Sequence, residues 1–109
     1  MRIQLVTRDS EIPQAVRDRA EEQVRRLHRF EPRLAGAEVV FEEERHIKRV
    51  EGVLSVDREK PVVAQGEGAD YRAAVDQMVD RLSKILRRQR SQVTDHRGPK
   101  LSEVVEESD

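Results

Sequence analysis

The chain contains no cysteine and no tryptophan, and aromatic residues make up only 3% of it. Without a thiol there is no disulfide, no thiolate metal site and no cysteine nucleophile. The three aromatics, Phe30, Phe41 and Tyr71, all fall at apolar-periodic positions. Modules that stack RNA bases on an open sheet need aromatics on that face, so single-strand base readout is not expected here. The three histidines, His28, His46 and His96, show no ligand spacing, and no zinc signature or nucleophile elbow occurs. The glycines of "GEGADYRAA" lack the Lys-Ser/Thr that a phosphate loop requires. Asp76 and Asp80 stand four apart on one helix and are expected to pair with Arg72, Arg81 and Lys84 rather than to act as an acid/base couple. Neither enzyme chemistry nor a cofactor nor a metal is expected. No apolar run reaches membrane-spanning length, and "MRIQLVTRDS" lacks the apolar segment of a secretion signal. The expectation is a soluble, cytoplasmic protein with no membrane partner and no small-molecule substrate.

What the chain does have is charge. Charged residues are 39% and hydrophobic residues 36% of 109 positions, enough for one domain with a small core. The formal net charge of -1 conceals a gradient: residues 1–90 hold 19 Lys+Arg against 17 Asp+Glu, and the last 19 residues hold 2 against 5. The acidic end, "LSEVVEESD", reads as a solvated tail, with the alternative that it competes internally for a basic surface. We expect a domain over residues 1–92 and a disordered acidic tail over 93–109.

Ile3 and Leu5 alternate with Arg2 and Gln4 in a first strand, followed by the turn "TRDSE". Val16, Ala20, Val24, Leu27 and Phe30 recur at helical spacing, giving a helix from about residue 12 to 31, with Pro13 in its first turn and Pro32 ending it. From Gly36 the period becomes two: Ala37, Val39 and Phe41 share one face, and Val50, Gly52, Leu54 and Val56 form the next strand. The reversal falls within "EEERHIKR", where no Asn-Gly step fixes it. "VVAQGEG" is a fourth strand, and Asp70 caps a second helix running to about Gln92. The order β-α-β-β-β-α predicts a single α/β (α+β) domain: a four-stranded sheet with both helices on one face. Strand 1 should lie parallel to strand 2, with strands 2 to 4 an antiparallel meander.

The segment "RLSKILRRQR" concentrates Arg81, Lys84, Arg87, Arg88 and Arg90 with no acid among them. Arg81, Lys84 and Arg88 share one helix face, turned away from Met78, Leu82, Ile85 and Leu86. The first helix adds Arg26, Arg29 and Arg33 on the side opposite Val24, Leu27 and Phe30. Both outer surfaces would then form one basic patch suited to phosphates, since each phosphate contact releases counterions and arginine bridges phosphate oxygens. For the first helix the competing reading is intrahelical pairing, as with Glu22 four residues before Arg26. The hairpin carries a second cluster, Arg45, His46, Lys48 and Arg49, beside Glu42, Glu43 and Glu44. It reads either as an RNA probe or as a charged edge strand protected from aggregation.

Four stretches together carry a family resemblance: "IQLVTRDSEIPQAVRDRAEEQVRRLHRF", "AEVVFEEERHIKRVEGVLSV", "VVAQGEGADYRAAVDQMVDRLSKILRRQ" and the basic helix end "LRRQRSQ". In this order the chain resembles the ribosome hibernation promoting factors, also called ribosome-associated inhibitors or sigma-54 modulation proteins, over residues 1 to about 92. The resemblance implies a partner, the small ribosomal subunit, bound through its rRNA in the channel used by mRNA and tRNAs, so that idle ribosomes are silenced without chemistry. It also brings Arg8, in the first turn, among the candidate contacts. Long relatives continue into a second, dimerising domain; here a short form without that domain is expected. Arg72 stands where many relatives carry an aromatic, with Tyr71 one place earlier. The alternative from another class is a protein-interaction or transcription-modulating module that keeps this fold without strong rRNA affinity.

Overall fold

Alternation along the strands decides which side of the sheet is covered. Ala37, Val39 and Phe41, then Val50, Leu54 and Val56, are buried on one side, while Glu38, Glu42, Arg49 and Glu51 take the other. The computed structural model describes residues 1–8 and 11–95 and arranges them as β1 (Arg2–Thr7), α1 (Gln14–Arg26), β2 (Leu34–Glu44), β3 (Ile47–Val56), β4 (Val62–Gly68) and α2 (Tyr71–Asp95). The strands lie in the order β1-β2-β3-β4, with β1 parallel to β2 and the rest antiparallel. Both helices pack on one face, as the sequence pattern predicts. Residues 9–10 of the expected first turn, His96 and residues 96–109 of the expected tail lie outside the described residues.

Several boundaries differ from the sequence reading. The first helix is α-helical only over Gln14–Arg26 and tightens into a 3-10 turn over Leu27–Arg29. Pro13 is its cap, with extended backbone at ψ 143, and its carbonyl accepts the Val16 and Arg17 N–H groups. Helix α2 continues through Asp95, three residues past the expected break, because nothing in "SQVTD" forbids helical backbone. Asp70 caps it as expected, its Oδ1 accepting the Ala73 N–H at 2.8 Å. The hairpin reversal is a two-residue turn at Arg45 and His46, with φ of 53° and 70°. Both central residues are left-handed, as a primed turn requires, although neither is Asn or Gly.

The core lies between sheet and helices: Val24, Leu27, Val39, Phe41, Val50, Leu54, Val75, Met78 and Leu82 are almost fully buried. Tyr71 is buried and meets the Phe41 ring edge-on at 5.7 Å, while Arg72 is exposed. Two glycines let α2 approach. A side-chain carbon at Gly52 would lie 2.6 Å from the Met78 sulfur, and one at Gly66 would enter the Ala74 carbonyl and come within 2.5 Å of the Met78 nitrogen. The first obstacle is a flexible side chain; the second is backbone and cannot rotate away.

Gly66→Ala should therefore lift α2 from β4 and cost about 1–3 kcal/mol in urea melts. Gly36→Ala, whose new carbon meets only the Arg2 carbonyl at 3.2 Å, should cost less. Equal losses would contradict the close-approach argument.

Candidate nucleic-acid interface

Charge is divided between the two layers. The helical layer (α1, the 3-10 turn, and α2 as far as Arg90) carries eleven Lys/Arg against five Asp/Glu. The four strands carry three against six. A near-neutral chain thus presents a cationic helical face and an anionic sheet face.

Most of the cations on the sheet side are already paired. Glu42, Arg49 and Glu67 are direct neighbours across β2, β3 and β4, and Arg8 extends the row with a 3.8 Å pair to Glu42. Arg49 reaches three carboxylates, Glu67 at 2.8 Å, Glu44 at 3.3 Å and Glu42 at 3.7 Å. Lys48 points to the opposite face, where its Nζ sits 2.6 Å from Glu43 and 5.3 Å from the Tyr71 ring centroid. The four hairpin cations therefore do not form one cluster, because adjacent strand residues face opposite ways. Of these four, Arg45 and His46, at the exposed tip, have no ion pair or hydrogen bond among the described residues. Nor is the hairpin an edge: β2 and β3 are the inner strands, and β1 and β4 are the edges.

On the helical side the expected residues sort by partner. Arg26 pairs with Glu22 at 3.4 Å and Lys84 with Asp80 at 3.1 Å, so the pairing reading holds for both. These are exposed i,i+4 pairs, weak enough to yield to a phosphate. Arg33 is not on the first helix. It lies in the turn before β2, held by Glu31 at 3.2 Å and Glu59 at 3.5 Å. Arg81 turns toward the sheet edge and donates to the Gln65 carbonyl at 2.8 Å. Arg87 turns toward α1, and Arg90 donates to the Phe30 carbonyl at 3.3 Å. The basic block of α2 is consequently spread over both flanks of the helix, since consecutive residues point about 100° apart. Among the described residues Arg88, Arg29 and Arg87 have no ion pair or hydrogen bond, and Arg29 and Arg87 lie over the Phe30 ring.

Between α1 and α2 runs a groove of about 350 Å³ whose walls include Arg19, Arg26, Arg29, Arg87, Asp76 and Phe30. Asp76 does not pair along its own helix, as the sequence suggested, but across the groove. Arg19 Nε and Nη2 bind its two oxygens at 2.8 and 3.1 Å. This bidentate bridge fastens α1 to α2 at one point and removes one acid from the cationic surface. The sequence missed Arg19 because a bridge between residues 57 apart leaves no local signal. No group of three or more metal-ligating side chains occurs among the described residues, and no helix among them is long and apolar enough to cross a membrane.

Comparison with known proteins gives the following likenesses. The family model described as "Sigma 54 modulation protein / S30EA ribosomal protein" matches residues 3–94. A ribosome hibernation promoting factor of Azotobacter vinelandii is 30% identical over 86 residues, which span 79% of each chain. The N-terminal domain of Thermus thermophilus Protein Y superposes with a TM-score of 0.73 at 33% identity, over 82% of this chain and 99% of that one. A ribosomal subunit interface protein of Coxiella burnetii shares the fold, with a TM-score of 0.73 at 22% identity over 84% of this chain and 99% of that one.

The Glu31–Arg33 contact gives the site region a pH signature. The Arg33 guanidinium, and then its backbone N–H at 2.9 Å, hold the Glu31 carboxyl below its ordinary value of 4.5. A carboxylate with a depressed folded pKa contributes stability that is present above the unfolded value and is lost as pH falls through the folded one. The Tm difference between the wild type and Glu31→Gln should therefore be steady above about pH 5 and shrink as pH drops below 4.5. An offset that stays constant down to the acid limit would contradict the assignment.

Proposed function

The chain belongs to the sigma 54 modulation protein / S30EA ribosomal protein family, and on that premise we propose that it is a ribosome hibernation factor. It binds the small ribosomal subunit through the helical face and occupies the mRNA and tRNA channel. Occupancy blocks translation sterically and shields an idle subunit, and no bond is made or broken. The observation that carries this reading is the division of charge: eleven cations against five anions on the helical layer as far as Arg90, beside a sheet with three against six. A protein of formal charge -1 gains rRNA affinity only by turning one side to the phosphates and keeping the other away.

Arg81, Lys84, Arg87 and Arg88 are the leading contacts, with Arg29, Arg26 and Arg90 beside them on the helical layer. Arg45 and His46 reach from the hairpin tip. Arg8, Arg33, Lys48 and Arg49 contribute only where phosphate displaces their carboxylates, and Arg49 would have to leave three.

Co-sedimentation with isolated small subunits across a salt series tests the reading. Binding should weaken steeply with salt. Substituting Arg81, Lys84, Arg87 and Arg88 together with Glu should weaken it more than about 100-fold while Tm stays nearly unchanged, because exposed charges contribute little to folding. Subunits already filled with mRNA and tRNA should exclude the protein. Wild-type-like binding by the fourfold variant would sink the assignment, and failure of the wild type to bind at low salt would favour the protein-interaction alternative.

A further inference from the structure

Phe30 is the aromatic that is only partly buried, packed against the core from its margin. Phe41 and Tyr71 are buried between sheet and helices, whereas Phe30 is partly exposed at the groove between α1 and α2. Two guanidiniums lie over its ring, the Cζ of Arg29 at 4.8 Å and that of Arg87 at 5.6 Å from the centroid. They come from different elements, the 3-10 turn and α2, and both reach this ring.

The partner matters chemically. An arginine held by a carboxylate is fixed but neutralised, as Arg49 is by Glu67, Glu44 and Glu42. An arginine held on a ring is fixed while its charge and its in-plane N–H donors remain available. The two acids of the same groove are engaged elsewhere, Asp76 with Arg19 and Asp80 with Lys84. The Phe30 carbonyl, at the negative end of the first helix, is covered by Arg90 at 3.3 Å. The mouth of the groove is thus left with two oriented guanidiniums opposed by no carboxylate among the described residues.

We propose that Arg29 and Arg87 form a clamp for a backbone phosphate of folded RNA, and that Phe30 is its positioning residue. The proposal rests on the rRNA-binding reading and adds to it a site at which an uncharged side chain controls an ionic contact.

The test uses the intact protein and isolated small subunits over a salt series, with Tm measured for every variant. Arg29→Gln and Arg87→Gln should each reduce the slope of log affinity against log salt by about one. Phe30→Leu removes no charge, yet should reduce that slope as well and weaken binding about tenfold. Phe30→Trp, which restores a ring for the guanidiniums, should restore the slope. The double variant Phe30→Leu/Arg87→Gln should bind no more weakly than Phe30→Leu alone. A purely structural role would lower Tm in Phe30→Leu and leave the slope untouched, and that result overturns the clamp while leaving the rRNA reading intact. Absence of binding by the wild type would instead overturn the rRNA reading and the clamp with it.

Discussion

The cationic surface depends on how closely α2 lies against β3 and β4, and that distance is set where Gly66 faces the backbone of Ala74 and Met78. With any side chain there the helix would stand off the sheet. Arg81 would then lose its bond to the Gln65 carbonyl, and the wall that Arg87 contributes to the groove would move away from Phe30. Burial of Val75, Met78, Leu82 and Leu86 holds the helix down, and the glycines make the approach possible. Apolar packing on one side of α2 thus decides where the charges on its other sides can meet a partner.

A second constraint is electrostatic. The sheet pairs Lys48 and Arg49 with its own carboxylates, and the row Arg8, Glu42, Arg49 and Glu67, which begins just after β1 and crosses β2, β3 and β4, alternates in sign. The helices pair theirs incompletely. Arg26 and Lys84 have i,i+4 partners, Arg29 and Arg87 have a ring, and Arg88 has neither an ion pair nor a hydrogen bond among the described residues. Total charge is therefore a poor guide to what this chain binds. The sequence contains one more acid than bases, 22 Asp+Glu against 21 Lys+Arg, and the fold sorts them so that the helical layer holds the excess of cations.

The fold was legible because its signals are local and periodic. Val16, Ala20, Val24 and Leu27 mark one helix, Val50, Gly52, Leu54 and Val56 mark a strand, and Asp70 marks a cap. Less legible was the hairpin tip, where Arg45 and His46 adopt left-handed backbone without the residues that usually announce it. The site was legible as a composition and not as a geometry. Adjacent letters such as Lys48 and Arg49, or Arg87 and Arg88, read as clusters, but strand alternation and the helical step send them in different directions. Arg19 with Asp76, and Phe30 with Arg87, are encounters between distant segments. Phe30 also continues the apolar spacing of the first helix, which hides it among core residues. Arg33 was misplaced because the helix ends in a 3-10 turn before reaching it.

The central claim is that the helical layer faces RNA and the sheet does not. The structure of the protein bound to the small ribosomal subunit tests this most directly. The account predicts that α1 and α2 lie against rRNA, with Arg87 and Arg88 at phosphates and the face bearing Glu38, Glu42 and Glu67 turned away from it. A complex in which that acidic face is buried against rRNA, with the helices in solvent, would contradict the account.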